Sequence, residues 1–268
     1  MAARATASSP TDATPADADV RVGDGFERDV TLRMAYETIL FDLDHTLLDS
    51  DESERQAYAH TAAQAGLDDP DRHFPTYVTI NRRMWKLVEA GEMQPGDVRY
   101  RRFEQFNDTV GLDADPHTMA EHFVWALGAH GELYPGADEV LAACASRASL
   151  GLVTNGLSDV QRSRLSRLGI GDYFDVIVIS SEVGVTKPRP DIFDITFDQL
   201  GDPPRDSSVM VGDSLTSDIA GGRNAGIDTC WYNPHGTRVE PGRVPSLEVA
   251  TLPALVDVLL WCTVRATA

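Results

Sequence analysis

The chain is short of positive charge: Lys and Arg total 23 against 42 Asp and Glu in 268 residues, a net charge of −19 at pH 7. A field of that sign repels the phosphate backbone of nucleic acid and anionic lipid alike, so neither a nucleic-acid polymer nor a membrane surface is expected as a partner. Lysine is scarcer still, with only Lys86 and Lys187 beside 21 arginines. Cysteine is sparse too. Cys144, Cys230 and Cys262 lie far apart with no CxxC spacing, which excludes a zinc ligand set or a disulfide framework and leaves small buried hydrophobes. No apolar run is long enough to cross a bilayer, and the first twenty residues lack the apolar segment of a secretory signal, so the cytoplasm is the expected compartment.

What is there divides the chain into unlike parts. Residues 1–33 are rich in Ala, Thr, Ser, Pro and Asp and nearly lack aromatics; they cannot bury enough apolar surface to order themselves and are expected to form a disordered tail. From Tyr36 the pattern changes, and Thr38–Phe41 is an apolar run that reads as a buried strand with Asp42 and Asp44 at its C-terminal end. Residues 50–133 show helical spacing in four stretches, 53–65, 74–90, 95–110 and 116–127, with Gly66, Gly91 and Gly111 as stops for the first three. After Pro135 the periods alternate. Strands are predicted at 150–154, 176–180, 208–211 and 228–232, and helices at 158–168, 190–200, 216–225 and 252–261. That alternation predicts an α/β fold, a doubly wound parallel sheet of Rossmann-like form that binds ligands at the C-terminal strand ends.

Those strand ends collect Asp42 and Asp44, then Thr154 and Asn155, then Lys187, then Asp213 and Asp218. Any one of them alone reads as a turn former or a helix cap. In order on four strands they are poorly explained by coincidence. Asp42-x-Asp44-x-Thr46, Thr154-Asn155-Gly156, Lys187-Pro188 and Gly212-Asp213-Ser214-x-x-x-Asp218 resemble the four motifs of the haloacid dehalogenase superfamily across residues 36–262. The resemblance implies that Asp42 is a nucleophile forming an aspartyl-phosphate and Asp44 a general acid and base. It also implies Thr154, Asn155 and Lys187 on the phosphoryl oxygens, with Mg²⁺ on Asp42, Asp213 and the Asp44 backbone carbonyl. Asp218 would orient a metal-bound water. Asp44 discriminates between reactions, because an alkoxide leaving group needs a proton and chloride does not. Lys187 carries separate weight: in so Lys-poor a chain a lysine here implies that a compact ammonium is required. Residues 221–226 contain glycines but lack the setting of a nucleotide-binding loop; Gly226 reads as a helix C-cap. His45, inside the first motif, is read as structural or as supporting the residues that hold the ligand.

Under the same resemblance residues 34–49 and 134–268 form the core, and residues 50–133 an inserted α-helical cap that covers the site. The runs Ile179-Ser180-Ser181-Glu182-Val183-Gly184-Val185-Thr186-Lys187-Pro188 and Cys230-Trp231-Tyr232-Asn233, with Asn81-x-x-x-Trp85 and Arg102-Phe103-Glu104 in the cap, are similar to bacterial house-cleaning pyrimidine 5′-nucleotidases. That likeness implies a small-molecule phosphate ester, a pyrimidine nucleoside monophosphate, as substrate, with Asn81, Trp85, Arg102 and Phe103 as candidates to read it. The alternative for these aromatics is the cap's own core. Phosphatases of sugar phosphates or phosphoglycolate and phosphomutases share the same core residues and stay open as alternatives. A haloacid dehalogenase or a catalytically idle binding protein is less favoured.

Overall fold

The computed structural model describes residues 20–22, 35–239 and 244–260. Most of the tail expected over 1–33, and Cys262, lie outside the described residues. Among these the sheet holds β1 (Val20–Val22), β2 (Thr38–Phe41), β3 (Ser149–Thr154), β4 (Val176–Ile179), β5 (Ser208–Gly212), β6 (Asp228–Tyr232) and β7 (Leu247–Val249). Their order is β1-β7-β6-β5-β2-β3-β4, parallel throughout except that β1 runs antiparallel to β7. The chain therefore winds outward from β2 through β3 to β4, then crosses back to β5 on the other side. The crevice at that reversal is where an open α/β sheet places its ligand.

The strands of this centre are buried on both faces, as parallel sheets require. Ile39 and Phe41 of β2 enter one apolar cluster with Leu141 of helix α5 (Ala137–Ala145) and Leu255 of helix α10 (Pro253–Leu260), while Leu40 enters the opposite one. Each such side chain contributes about 1.5–3 kcal/mol on burial. On the first face lies helix α6 (Ser158–Leu168); on the second lies α8 (Pro190–Gln199), with the short helices α7 (Ser180–Val183) and α9 (Ala220–Asn224) completing the core's helical layer.

Between β2 and α5 stand four helices: α1 (Ser50–Gln64), α2 (Pro70–Glu89), α3 (Pro95–Val110) and α4 (Pro116–Ala129). Proline opens α2, α3 and α4, where its missing N–H is not needed. Gly111 closes α3 with φ +71°, a conformation that favours glycine. Their facing sides form a separate core around Tyr77, Phe103, Phe106 and Phe123. Two adjacent linkers carry this cap: Tyr134 N–H donates to Leu47 O at 2.8 Å and Asp49 N–H to Glu132 O at 3.0 Å.

Three details differ from the sequence reading. Val20–Val22, inside the expected tail, add an antiparallel edge strand by pairing with Leu247–Val249, a segment also not recognised as a strand. Both are three-residue strands too short to lift the local composition. The helix expected over 216–225 begins instead as a π-helical turn, Leu215–Ile219, before α9. That turn faces the site.

Candidate active site

Asp42 follows the last residue of β2, and its N–H still donates to Val211 O at 3.0 Å, so sheet pairing fixes its position. Lys187 reaches it from beyond β4. The Lys187 Nζ lies 2.5 Å from Asp42 Oδ1, 2.7 Å from Asp218 Oδ1 and 2.6 Å from Val153 O, which uses all three of its donors. A guanidinium has no room in a site 1% exposed and shared by two carboxylates. Asn155 holds this lysine in register: its Nδ2 donates to Lys187 O and its Oδ1 accepts from Lys187 N–H, both at 2.8 Å. Lys187→Met should leave Asp42 and Asp218 without a cation. Removing one partner of a buried pair costs about 3–5 kcal/mol, so thermal unfolding should fall by about 10 °C; a shift under about 2 °C in a melting curve would contradict the pairing.

Thr46 bridges the two central strands. Its hydroxyl donates to Asp42 Oδ2 at 3.4 Å and accepts from the Asp213 N–H at 3.1 Å. Trp231 Nε1–H anchors the Asp213 carbonyl at 2.7 Å. The π-helical turn brings Asp218 inward, with Ser214 N–H donating to Asp218 Oδ2 at 3.0 Å. Gly212 permits this approach, since a Cβ there would sit 2.3 Å from the Asp218 carboxylate.

These carboxylates crowd one another. Oxygens of Asp42, Asp213 and Asp218 lie within 4.8 Å of each other. Burial pushes the Asp42 carboxyl well above its ordinary range, Lys187 opposes this, and the neighbouring Asp218, Asp213 and Asp44 push it up again. Burial and Asp218 likewise push Asp213 up to about 8. Burial alone would lower the Lys187 ammonium, but Asp218 and Asp42 raise it above its usual value. One lysine therefore does not neutralise the cluster, and an all-oxygen donor set short of positive charge fits a hard divalent cation. Asp42 and Asp213 are the carboxylates better placed to bind it: Asp218 takes Lys187 on Oδ1 at 2.7 Å and the Ser214 N–H on Oδ2 at 3.0 Å, whereas Asp42, paired to Lys187 through Oδ1, has only the long 3.4 Å contact from Thr46 on Oδ2.

Asp44 opens onto the same cleft from a different environment. Its Oδ1 accepts from Arg164 Nη1 at 2.7 Å and Ser50 Oγ at 2.6 Å, and its Oδ2 from Gln161 Nε2 at 2.6 Å. Burial pushes this carboxyl up, but Arg164, Ser50, His45 and Gln161 together outweigh it and hold it below the ordinary range. Gln161 Nε2 also donates to Thr154 Oγ1 at 2.8 Å, which leaves the Thr154 proton free to be donated.

The cleft has a volume of about 650 Å³. Asp42, Asp44, Thr154, Asn155, Lys187, Asp213 and Asp218 line its floor, and Asn81, Trp85 and Arg102 its cap wall. Phe103 does not reach it. That expectation is corrected: Phe103 is fully buried in the cap core, with its ring 6.0 Å from Tyr77 and 5.4 Å from Phe123. Glu54, not singled out in the sequence, sits beside Asn81, whose Nδ2 donates to it, while Asn81 Oδ1 accepts from Arg102 Nη1 at 3.1 Å. Burial pushes the Glu54 carboxyl up, against the lowering effect of Arg102, Tyr77 and Asn81. His45 also lines the cleft, at φ +61°.

Such a fold and cleft define an α/β protein with its candidate site at the C-terminal edge of the sheet and a helical roof inserted after the first core strand. Residues 36–226 match the haloacid dehalogenase-like hydrolase family, and the chain belongs to it. It is 36% identical to the pyrimidine 5′-nucleotidase YjjG of Escherichia coli (strain K12) over 228 residues, 84% of this chain and 99% of that one. It is 34% identical to the pyrimidine 5′-nucleotidase PynA of Streptococcus pneumoniae (strain ATCC BAA-255 / R6) over 227 residues, 84% and 96% of the two chains. Among solved structures, the magnesium-bound HAD-hydrolase YfnB of Bacillus subtilis superposes with a TM-score of 0.78 at 31% identity, covering 84% of this chain and 99% of that one. No helix among the described residues is long and apolar enough to cross a membrane.

Proposed function

We propose that the chain is a Mg²⁺-dependent phosphomonoester hydrolase working through an aspartyl-phosphate, with pyrimidine nucleoside 5′-monophosphates as substrates. The observation that carries this reading is the placing of Asp42 and Asp44 in one cleft with opposite environments. One is crowded by carboxylates beside a lysine; the other is held by an arginine. Pairs of carboxyls set apart in this way divide the roles of nucleophile and acid–base group. Asp42 and Asp213 would hold Mg²⁺, with the Asp44 backbone carbonyl as a further oxygen ligand, and the ion would draw negative charge from the phosphoryl oxygens as they approach the carboxylates.

The chain's own residues account for the rest. An Asp42 carboxylate oxygen attacks phosphorus in line, and the bond from phosphorus to the ester oxygen breaks. Lys187 offsets charge on Asp42 and the transferring group, while the Thr154 hydroxyl and the Asn155 N–H donate to phosphoryl oxygens. A phosphate dianion beside Asp44 opposes its negative charge and favours its protonated form, so the departing oxygen takes its proton from there. As a carboxylate again, Asp44 removes a proton from water, which attacks phosphorus, releases inorganic phosphate and restores Asp42. Chloride needs no such proton, and a dehalogenase would leave Asp44 idle.

The substrate follows from the roof. Trp85 supplies a flat apolar surface, and Asn81, Arg102 and Glu54 an adjoining set of donors and acceptors, which suits one heterocycle better than a polyhydroxylated sugar. The names of the two nucleotidase relatives support the same class. A phosphatase panel should give dUMP, dTMP and UMP a kcat/KM at least about tenfold above glucose 6-phosphate, β-glucose 1-phosphate or phosphoglycolate, roughly 1.4 kcal/mol of differential transition-state binding. Trp85→Ala should lower kcat/KM for UMP more than for p-nitrophenyl phosphate. A panel won by sugar phosphates or phosphoglycolate, or equal losses in the Trp85 variant, would overturn the nucleotide reading and leave the phosphatase chemistry in place.

A further inference from the structure

Helix α6 belongs to the core, yet its buried face carries two polar side chains, Gln161 and Arg164, between Val160 and Leu165. Arg164 is 3% exposed, and every nitrogen of its guanidinium is engaged. Its Nη1 donates to Asp44 Oδ1 at 2.7 Å and to Gln161 Oε1 at 3.2 Å. Nη2 donates to Ser53 Oγ at 2.9 Å, on α1, and Nε to Leu127 O at 3.1 Å, in the last turn of α4. One planar group thus touches the acid–base carboxylate and both helices that root the cap. The Leu127 contact has an ordinary explanation, because the last carbonyls of a helix lack internal partners and arginine caps them well. Arg167, one turn further along α6, makes the same kind of contact: its Nε donates to Gly128 O at 3.2 Å and its Nη2 to His130 O at 3.1 Å and to Gly131 O. Arg167 does not touch Asp44. The end of α4 is therefore capped without Arg164, and capping does not account for the two nitrogens that Arg164 turns toward Asp44 and Ser53.

We propose that Arg164 is a positioning residue for the acid–base step: it aims the Asp44 carboxylate and ties that aim to the cap's two root helices, with Gln161 fixing the second carboxylate oxygen. The inference rests on the phosphomonoesterase reading for its kinetic consequence. Its geometry rests on the fork shape of the guanidinium, which holds Asp44, Ser53 and Leu127 at fixed angles as an ammonium cannot. Removing the fork leaves Asp44 with Ser50 and Gln161 only, free to turn from the line along which a proton must move.

A double-mutant cycle with Mg²⁺-loaded full chain and p-nitrophenyl phosphate tests it. Arg164→Ala should lower kcat by about tenfold or more with KM changed much less. Arg164→Lys should stay well below wild type, and it also serves if the alanine variant does not fold. In an Asp44→Asn background the Arg164 substitution should cost less than about twofold, because its effect passes through Asp44. Arg167→Ala, which disturbs the same end of α4, should lower the melting temperature and leave kcat within about twofold. Equal losses in the wild-type and Asp44→Asn backgrounds, or an Arg164→Lys variant with wild-type kcat, would overturn the proposal. Crystal structures of the Arg164→Lys and Arg167→Ala proteins give a readout independent of turnover. Asp44 should leave its observed side-chain position in the first and keep it in the second; an unmoved Asp44 in the Arg164 variant would also overturn the proposal, even if the chain proved to hydrolyse no phosphate ester.

Discussion

Asp42→Asn should abolish hydrolysis of every phosphomonoester while leaving the protein folded and at least as stable as the wild type. The loss should be about 10⁴-fold or more in kcat, since an amide oxygen does not replace a carboxylate as nucleophile and the remaining groups have nothing to act on. The stability half of the expectation comes from the site's own imbalance. Burial and three neighbouring carboxylates push the Asp42 carboxyl well above its ordinary range against the pull of Lys187. A carboxyl whose folded value is raised is disfavoured as an anion in the native state, so at neutral pH its ionised form destabilises the fold. Asparagine has nearly the same shape and no charge to desolvate, and it can still accept from Lys187 Nζ. Strain of this kind at a functional site is the usual origin of a variant that is inactive and more stable. Melting curves and phosphate release measured on the same preparation check both halves. Activity within about tenfold of wild type would show that attack does not come from Asp42, and an inactive but poorly folded protein would show that the carboxylate supports the fold.

The parts of this site that were legible in the sequence are those the backbone places by itself. Asp42, Thr154 and Asp213 stand at the ends of strands whose apolar runs are unmistakable, and in a parallel sheet all such ends face one way. Lys187 was legible for a different reason, its rarity. What was not legible depends on how side chains turn. On α3, Arg102 and Phe103 share the stripe of Val98 and Phe106, and sequence spacing does not tell which of the two leans out to the cleft. The ring went to the core and the guanidinium to the wall. Gln161 and Arg164 did leave a signal: they occupy places on the predicted helix where Val160 and Leu165 mark the buried face, so a polar pair there announces a buried network. Glu54 left none, because α1 carries polar residues on most of its length. β1 and β7 were missed because three residues in a ladder make no pattern that a window can separate from its surroundings.

Removing divalent metal should stop turnover completely, and returning Mg²⁺ should restore both activity and stability. Four carboxylates, Asp42, Asp44, Asp213 and Asp218, stand together on the floor of the cleft, and the cations set directly against them are Lys187 and Arg164. Of these, Arg164 is spent on Asp44, so the oxygens of Asp42, Asp213 and Asp218 share a single ammonium. A phosphate dianion brought to that place meets a repulsion that Lys187 alone does not offset, since the other basic residues lining the cleft, Arg82, Lys86 and Arg102, belong to the cap helices, and binding without a further cation is unfavourable. The same argument reads out without substrate. A ligand bound only by the native state stabilises by about 2.7 kcal/mol at a hundred times its dissociation constant, which for a chain of this size raises the melting temperature by about 5–10 °C. Because the net charge is −19, any added salt screens the surface as well, so the titration must hold ionic strength constant with NaCl. Under that control Mg²⁺ should raise the melting temperature of the wild type. It should do so much less for Asp213→Asn, which keeps Lys187 and its partners but loses one carboxylate from the cluster. Full activity in excess chelator, or a Mg²⁺ effect on melting no larger than that of NaCl, would mean that the carboxylates are neutralised by protons and Lys187 alone and that the phosphoryl group is held in some other way.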